Sequence, residues 1–165
     1  MRLNHAVLYV RDVERSVVFY QDVLGFATVM SMKGASFLQA PGSTNDHDLG
    51  LFAIGDAAGP SQAGRETVGL YHLAWEVETL AELKRLEGKL RDVGALAGAS
   101  DHATTKSLYA HDPDGLEFEV CWVVPAALLD DATVQAKASI RPLDLPREIE
   151  RYGAETMGGV GVSIA

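Results

Sequence analysis

The sequence predicts an α+β fold made of two βαβββ modules, which would form one cupped, barrel-like mixed sheet with the helices outside. Three observations support this prediction. The chain of 165 residues contains an internal repeat. Each half of the repeat has one helix that is bounded by a capping residue and a glycine. The rest of each half consists of short strand-like segments that are separated by turn residues.

The repeat begins with two strands that carry a histidine at the same place. Leu3–Val10 and Leu70–Val77 both have the residue pattern of a short strand, with His5 in the first and His72 in the second. Side chains of a strand point alternately to its two faces. We therefore expect the fully apolar faces to pack on the helices and both histidines to line the open face.

One helix follows each of these strands. The first is predicted over about Val13–Val23, with Asp12 as its N-cap and Gly25 at its end. The second is predicted to start at a capping box formed by Thr79–Glu82 and to stop before Gly94. Both helices thus begin and end with the signals that are typical of α-helix boundaries.

A further strand closes each half, at Leu49–Ile54 and at Leu116–Val123. Gly50 lies 25 positions after the glycine that ends the first helix, and Glu119 lies 25 positions after the glycine that ends the second. The repeat therefore pairs Gly50 with Glu119, as it pairs the two histidines. By strand alternation we expect Glu119 on the open face.

The part of the chain that follows the repeat has no counterpart within it. There we predict a short helix at Ala126–Lys137 and an extended segment at Arg141–Pro146. The predicted organisation is one domain over 1–124, with modules at about 1–56 and 68–124, a Gly- and Pro-containing connector at Gly55–Thr67, and a C-terminal extension over 125–165.

Composition and charge exclude several classes of function. A net charge of −9 disfavours binding to nucleic acid, because an acidic surface repels phosphates. No apolar run approaches the roughly 20 residues that span a bilayer, and the first residues do not resemble a targeting signal. The only cysteine is Cys121, which fits a reducing compartment. We expect a cytoplasmic protein with no nucleic-acid or membrane partner.

Two histidines and a carboxylate on one concave face are a set of ligands for a divalent metal ion. His5, His72 and Glu119 would form a facial triad that leaves coordination positions open. Imidazole and carboxylate suit Fe(II) or Mn(II), and the absence of a cysteine cluster disfavours a structural zinc site. The matching positions in the repeat favour this interpretation over isolated histidines.

The segments that carry these residues resemble the vicinal oxygen chelate superfamily, which includes glyoxalase I, bleomycin- and fosfomycin-resistance proteins and type I extradiol dioxygenases. The resemblance covers about residues 3–124 and rests on His5–Asp12, Phe19–Phe26 and, most specifically, Asp112–Glu119. It implies the glyoxalase-like fold. It also implies that the metal ligands are His5, His72 and Glu119.

Three further residues resemble the extradiol branch of this superfamily. His47 lies in a segment, His47–Leu51, that is similar to the one carrying the acid/base histidine of those dioxygenases. His102 and Tyr109 match an Asp-His…Leu-Tyr pattern, whose His and Tyr contact the substrate oxygens. The intervening residues 103–105 depart from the common pattern. The resemblance assigns no role to His111 or Cys121.

The predicted function is an extradiol ring-cleaving dioxygenase that acts on a catechol-like aromatic diol with O2. Gly50 supports it, because glyoxalase I and the fosfomycin enzymes usually place a fourth ligand at that position. Three protein ligands leave room for a chelating diol and O2. We expect Fe(II) as the cofactor, with Mn(II) as the alternative. The resemblance further implies a homodimer or higher homo-oligomer.

Two alternatives remain open at this point. One is a metal-dependent lyase or isomerase, such as glyoxalase I or an epimerase. The other is a metal-free small-molecule-binding protein like the resistance proteins, which need no metal ligands. The sequence leaves open which aromatic substrate is used and which bond is cleaved.

Overall fold

The computed structural model describes residues 3–64 and 66–159. The chain divides into two compact units. The first comprises Met1–Thr67 together with Asp112–Leu116, and the second comprises Val68–His111 together with Glu117–Ala165. The division follows the two halves of the repeat except at Asp112–Leu116, which belongs to the first unit. No helix in the described parts of the chain is both long enough and apolar enough to cross a membrane.

The first unit is a four-stranded mixed sheet with one helix. Strands β1 and β4 are parallel neighbours, whereas β3 pairs antiparallel with both β4 and β2, giving the order β1-β4-β3-β2. Its elements are β1 (Ala6–Val10), α1 (Val13–Leu24), β2 (Ala27–Met32), β3 (Ala35–Gln39) and β4 (Leu49–Ala53).

Helix α1 begins and ends as the sequence predicts. The Asp12 carboxylate accepts hydrogen bonds from the backbone N–H groups of Glu14 and Arg15, which satisfies two of the amides that a helix start leaves free. Gly25 ends the helix with a φ of +79°, in the left-handed region that glycine enters without steric cost. The buried side of the helix packs on β3 and β4.

The turn at Asp112–Leu116 belongs to the first unit. Asp112 closes it by accepting hydrogen bonds from the backbone N–H groups of Asp114 and Leu116, at 2.8 and 2.9 Å. Arg11 and Arg15 bind the Asp114 carboxylate at 2.9 and 2.6 Å. The aspartates that resemble the superfamily motif therefore build and anchor a turn.

The second unit repeats this plan and adds a C-terminal part. Its sheet has the order β5-β8-β7-β6-β9, with β5 and β8 parallel. Its elements are β5 (Leu73–Glu76), α2 (Leu80–Asp92), β6 (Leu96–Asp101), β7 (Thr105–His111), β8 (Glu117–Val123), α3 (Asp131–Gln135), β9 (Arg141–Pro142) and α4 (Leu145–Tyr152). Thr79 caps α2 by accepting from the Glu82 N–H, and the core contains Leu80, Leu83, Leu86, Leu90, Phe118, Val120 and Trp122.

The two predicted βαβββ modules and the α+β class are confirmed, with one difference in the sheet. The described strands form two mixed sheets, and neither closes into a barrel. Each module pairs its first strand with its own last strand, and β1 and β2 are left as the edges of the first sheet, as β5 and β9 are of the second.

The C-terminal extension also differs from the expectation. The helix predicted at Ala126–Lys137 is broken into α3 and two short 3₁₀ turns. Only Arg141–Pro142 of the predicted extended segment is a strand, and Leu145 already belongs to α4. Asp144 caps that helix by accepting from the Arg147 N–H, and proline is tolerated in a first helical turn.

The strand registers of the two modules match. Gly50 lies opposite Val7 on one side and Phe37 on the other. Glu119 lies opposite Ala74 on one side and Tyr109 on the other. Val7 is two residues after His5, and Ala74 is two residues after His72. The register therefore supports the pairing of Gly50 with Glu119 that the repeat predicts.

Candidate active site

The second unit brings His72 and Glu119 together on one face of its sheet. The Nε2 atom of His72 lies 3.1 Å from Oε2 of Glu119. Both side chains are largely withdrawn from solvent, with 25% and 12% of their surface exposed. The β-strand alternation that places Glu119 on this face also places Glu117 there, two residues earlier.

Glu117 lies between two histidines. Its Oε1 is 3.8 Å from Nδ1 of His72, and its Oε2 is 3.8 Å from Nε2 of His111. The cross-strand pairing of His111 with Glu117 explains the second contact. Nδ1 of His72 is buried and makes no hydrogen bond within the described part of the chain. The second ring nitrogen of His72 thus faces a carboxylate at a distance longer than a hydrogen bond.

Tyr109 and His102 extend this polar surface. Tyr109 is the cross-strand neighbour of Glu119, and its ring centre lies 5.8 Å from that of His72. Nε2 of His102 lies 2.9 Å from the Tyr109 hydroxyl. Burial, and after it the Glu119 charge, raises the pKa of Tyr109 above its ordinary value. The Tyr109 phenol is therefore a hydrogen-bond donor throughout the neutral range.

Cys121 follows on the same face of β8. Burial, and then the charges of Glu119 and Glu76, raises the pKa of the Cys121 thiol to about 12. A thiol that stays protonated is neither a nucleophile nor a ready metal ligand. The chemistry of this region consequently lies with the imidazole, carboxylate and phenol groups.

The first unit brings His5 and His47 together. Their ring centres are 4.5 Å apart, and the His47 ring also packs edge-on against Phe37 at 5.1 Å. Nδ1 of His47 lies 2.9 Å from the Asp46 carboxylate. Strand alternation from Gly50 would turn His47 to the other face, but His47 precedes β4 and lies in the loop, where alternation does not apply.

The loop that carries His47 is ordered by a residue that the sequence analysis missed. The buried Asp48 carboxylate accepts hydrogen bonds from the Ala40 N–H, the Ser43 hydroxyl and the Asn45 amide, at 2.8, 2.9 and 2.7 Å. The Asn45 amide also donates to the Asn4 carbonyl next to His5. A polar residue directly before an apolar strand was the only sequence signal for this role.

Each unit thus assembles part of the predicted residue set. His5 and His47 meet in the first unit, whereas His72, Glu119, Tyr109 and His102 meet in the second. Within neither unit do three histidine, cysteine, aspartate or glutamate side chains among residues 3–64 and 66–159 form a group that could hold a metal ion. The His72–Glu119 pair is the closest approach of two predicted ligands inside one unit.

Comparison with protein families places these residues in context. The model of the Glyoxalase/Bleomycin resistance protein/Dioxygenase superfamily matches residues 2–120. The chain belongs to this superfamily. The match includes all the predicted site residues and ends before the C-terminal extension.

Members of the superfamily with different activities are similar to the chain. A catechol-2,3-dioxygenase of Bacillus subtilis is 30% identical over 72% of this chain and 40% of the relative. A biphenyl-2,3-diol 1,2-dioxygenase of Rhodococcus globerulus is 34% identical over 69% and 59%. A lactoylglutathione lyase of Neisseria meningitidis is 29% identical over 72% and 88%. The chain therefore spans only about half the length of the two dioxygenases.

Solved structures support the superfamily fold. A glyoxylase/bleomycin resistance protein/dioxygenase domain from Frankia sp. EAN1pec superposes with a TM-score of 0.62 at 24% identity, over 76% of this chain and 94% of that domain. At this identity the likeness concerns the fold alone.

Proposed function

We propose that this protein is an extradiol-type dioxygenase that opens the ring of a catechol-like diol with O2. In this proposal His5, His72 and Glu119 hold one divalent metal ion, Fe(II) in preference to Mn(II). The observation that carries the proposal is the His72–Glu119 pair beside the hydrogen-bonded Tyr109 and His102. The dioxygenase relatives support it.

The chemistry of the His72–Glu119 pair fits a metal ion. Nε2 of His72 and Oε2 of Glu119 lie 3.1 Å apart on one face of the sheet, and imidazole and carboxylate are the donors that would hold a divalent ion there. A histidine that binds a metal through Nε2 carries its proton on Nδ1 and usually donates it to a carboxylate or carbonyl. The buried Nδ1 of His72 faces the Glu117 carboxylate at 3.8 Å, so the carboxylate that would accept this proton is adjacent, although no hydrogen bond joins the two groups in this structure.

When bound, the metal ion would hold both oxygens of the diol and favour deprotonation of a bound hydroxyl. His47 would accept and return a proton, because imidazole ordinarily exchanges protons near neutral pH. Tyr109 would donate a hydrogen bond to a substrate oxygen, and His102 would fix the phenol in that orientation or contact the substrate directly.

The second candidate function is a lyase of the glyoxalase I type. The lactoylglutathione lyase relative, which the chain covers over 88% of its length, favours it. Gly50 counts against it, because this position supplies no fourth ligand. The metal-free binding protein is a third candidate, and the His72–Glu119 pair counts against it, since such a protein needs no ligands.

An oxygen-uptake screen tests the proposal. The purified chain is loaded with Fe(II) without air and then mixed with O2 and a panel of substituted catechols, in parallel with a glutathione–methylglyoxal assay. We expect consumption of one O2 per catechol and a yellow semialdehyde-type product. Isomerisation of the hemithioacetal without O2 uptake would establish the lyase instead. Failure to bind any divalent metal would favour the binding protein.

Assembly and location stay predictions. We expect a homodimer or higher homo-oligomer in the cytoplasm. Light scattering of the purified chain measures the molar mass in solution and would contradict the first expectation if it returned the mass of one chain.

A further inference from the structure

Lys106 is a fully buried lysine in the second unit, and the proposed reaction gives it no role. It lies on β7, three residues before Tyr109, and points to the opposite face of the sheet. Its ammonium group donates hydrogen bonds to Oδ1 of Asp101 at 2.5 Å and to the Ala103 carbonyl at 3.1 Å. It also pairs with the Glu148 carboxylate at 2.9 Å. The ammonium thus has three oxygen partners: the two hydrogen-bond acceptors, Asp101 and Ala103, and Glu148, whose Oε2 is an ion-pair partner without a hydrogen bond in the described part of the chain.

Both hydrogen-bond acceptors belong to the turn that carries His102. Ala103 has a φ of +64°, a left-handed conformation that costs an L-residue about 1 kcal/mol. Its N–H donates to Oδ1 of Asp101 at 2.8 Å, while its carbonyl accepts from Lys106. The ammonium therefore holds the strained residue directly after His102, from behind the sheet.

The front of the same turn carries the substrate-facing pair of the proposed site. The backbone N–H of His102 donates to the Thr105 carbonyl at 2.9 Å, and its ring lies 2.9 Å from the Tyr109 hydroxyl. The orientation of the imidazole is thus set by a turn whose other side is fixed by Lys106. A small rotation of this turn would break the contact between His102 and Tyr109.

The ion-pair partner, Glu148, comes from the C-terminal extension. Glu148 is a buried residue of α4, and the Tyr152 ring of the same helix lies 5.7 Å from the Lys106 ammonium. Strand β9 adds a second connection, because Arg141 pairs with Asp101 in the sheet. Both α4 and β9 lie beyond the residues that match the superfamily. The extension therefore contacts the His102 turn through two elements of its own.

The charges of Lys106, Asp101 and Glu148 favour a role in orienting the His102 turn over a role in stability alone. Partial burial alone would raise the pKa of Asp101, but the hydrogen bond and charge of Lys106, the Ala103 N–H and Arg141 lower it below its ordinary value. The carboxylate is therefore ionised and fixed at neutral pH. Well-packed apolar side chains often stabilise a core as well as a buried ion pair does, so stability alone does not account for a buried lysine here.

We propose that Lys106 is a positioning residue for His102, and that the C-terminal extension takes part through Glu148 in holding the His102–Tyr109 pair. The effect on catalysis rests on the proposed function, whereas the effect on the His102 ring does not. Lys106, Asp101 and Glu148 together fix the conformation of the turn, and this turn fixes the orientation of the His102 imidazole.

The variants are chosen to remove the two buried charges together, while the partly exposed Asp101 keeps the Ala103 N–H and the charge of Arg141. Lys106→Met with Glu148→Gln replaces the ammonium and one carboxylate by neutral side chains of similar size. Glu148→Gln alone keeps the Lys106–Asp101 pair and is the milder change. Glu150→Gln, an exposed position of the same helix, is the matched control. Tyr109→Phe gives the signal of a His102 ring that has lost its partner.

The experiment records the carbon-13 and proton signals of the five histidine rings of the full chain against pH. The His102 signal is assigned with His102→Gln. We expect the double variant and Glu148→Gln to shift the His102 signal and its titration towards those of Tyr109→Phe, while Glu150→Gln leaves both unchanged. With the iron-loaded protein, kcat/KM for the diol should fall roughly 10- to 100-fold in the double variant.

An unchanged His102 titration in a folded double variant whose Tm falls would overturn the proposal, because Lys106 would then only stabilise the core. Should the double variant not fold, Glu148→Gln alone decides by the same criterion. A shifted His102 signal in a protein without O2 uptake would retain the positioning role and reject the dioxygenase.

Discussion

The two modules share one strand register but differ in what they place at its centre. In the first module the central row is Val7, Gly50 and Phe37, whereas in the second it is Ala74, Glu119 and Tyr109. Both modules also have a register shift in their antiparallel hairpin. It lies between Thr28 and Met30 in the β2–β3 pair and between Leu96 and Gly98 in the β6–β7 pair. The two modules therefore share their backbone arrangement but differ in the chemical character of their central side chains.

This difference shows how one repeated scaffold provides two environments. The first row has no ionisable side chain, and a side chain at Gly50 would meet Val7 and Phe37 at 3.4 to 3.5 Å. The second row combines a carboxylate with a phenol, next to His72. The second row therefore offers groups that could bind a metal ion, whereas the first row offers none.

The largest expected effect tests the polar row. His72→Ala should abolish stoichiometric binding of Fe(II) or Mn(II) and all diol turnover, because it removes one of the three proposed ligands while the fold loses little core volume. Metal content after dialysis measures the first effect. His111→Ala, which removes a half-exposed histidine of the same unit, is the control. Equal metal content in both variants would contradict the assignment of His72.

The next effect tests the proposed acid/base role of His47 against that of His102. His47→Phe should keep metal binding but lower turnover by roughly 10²- to 10⁴-fold, because phenylalanine retains the packing on Phe37 but transfers no proton. Oxygen uptake with saturating diol measures this loss. His102→Phe is measured alongside. If His47→Phe is fully active and His102→Phe is not, the acid/base role passes to His102.

Gly50→Glu makes the first module resemble the second. We expect diol turnover to fall at least about tenfold, because the new carboxylate would act as a fourth ligand and occupy a position that the substrate needs. Gly50→Ala, which adds only the Cβ, separates this effect from crowding against Val7 and Phe37. Oxygen uptake and Tm are compared for both variants. Equal turnover would show that Gly50 has no bearing on the reaction class.

The smallest expected effect concerns the Asp112–Leu116 turn of the first unit. Partial burial would raise the pKa of Asp114, but hydrogen bonds from Arg11 and the charge of Arg15 lower it below the ordinary value. A lowered pKa adds stability above the ordinary aspartate range, and that stability is lost as the pH falls. Asp114→Asn should therefore reduce the free energy of unfolding by about 1–2 kcal/mol at pH 7, and by less towards pH 3.

Urea unfolding across this pH range measures the Asp114 contribution. Asp56→Asn, an exposed aspartate of the same unit, is the control. A difference between wild type and Asp114→Asn that grows as the pH falls would contradict the sign of the shift.

Much of this architecture could be predicted from the sequence because the repeat is local and periodic. Strand alternation and equal spacing were sufficient to pair Gly50 with Glu119. The Lys106–Glu148 pair could not be predicted in this way, since it joins residues 42 positions apart through tertiary packing. Helix α4 could have been predicted, because the sequence contains an N-cap residue, Asp144, and a proline in the first helical turn. The prediction of an extended segment there was wrong.

The loop before β4 shows a similar limit. The resemblance to extradiol dioxygenases predicted a role for His47, but the alternation of a regular strand gave it the wrong face. The orientation follows from the hydrogen bonds of Asp48, which depend on three backbone and side-chain groups that meet only in the folded loop. No periodic pattern in the sequence encodes such a network.

The most direct test of the proposal that Glu119 binds a metal ion, whereas the matching Gly50 does not, is to count bound Mn(II). The electron paramagnetic resonance signal of the free aqueous ion measures how much Mn(II) remains unbound during a titration of the protein. We predict one ion per chain for the wild type and for Gly50→Ala, and no stoichiometric binding for Glu119→Gly. Binding by Glu119→Gly as tight as that of the wild type would contradict the assignment of Glu119 as a metal ligand.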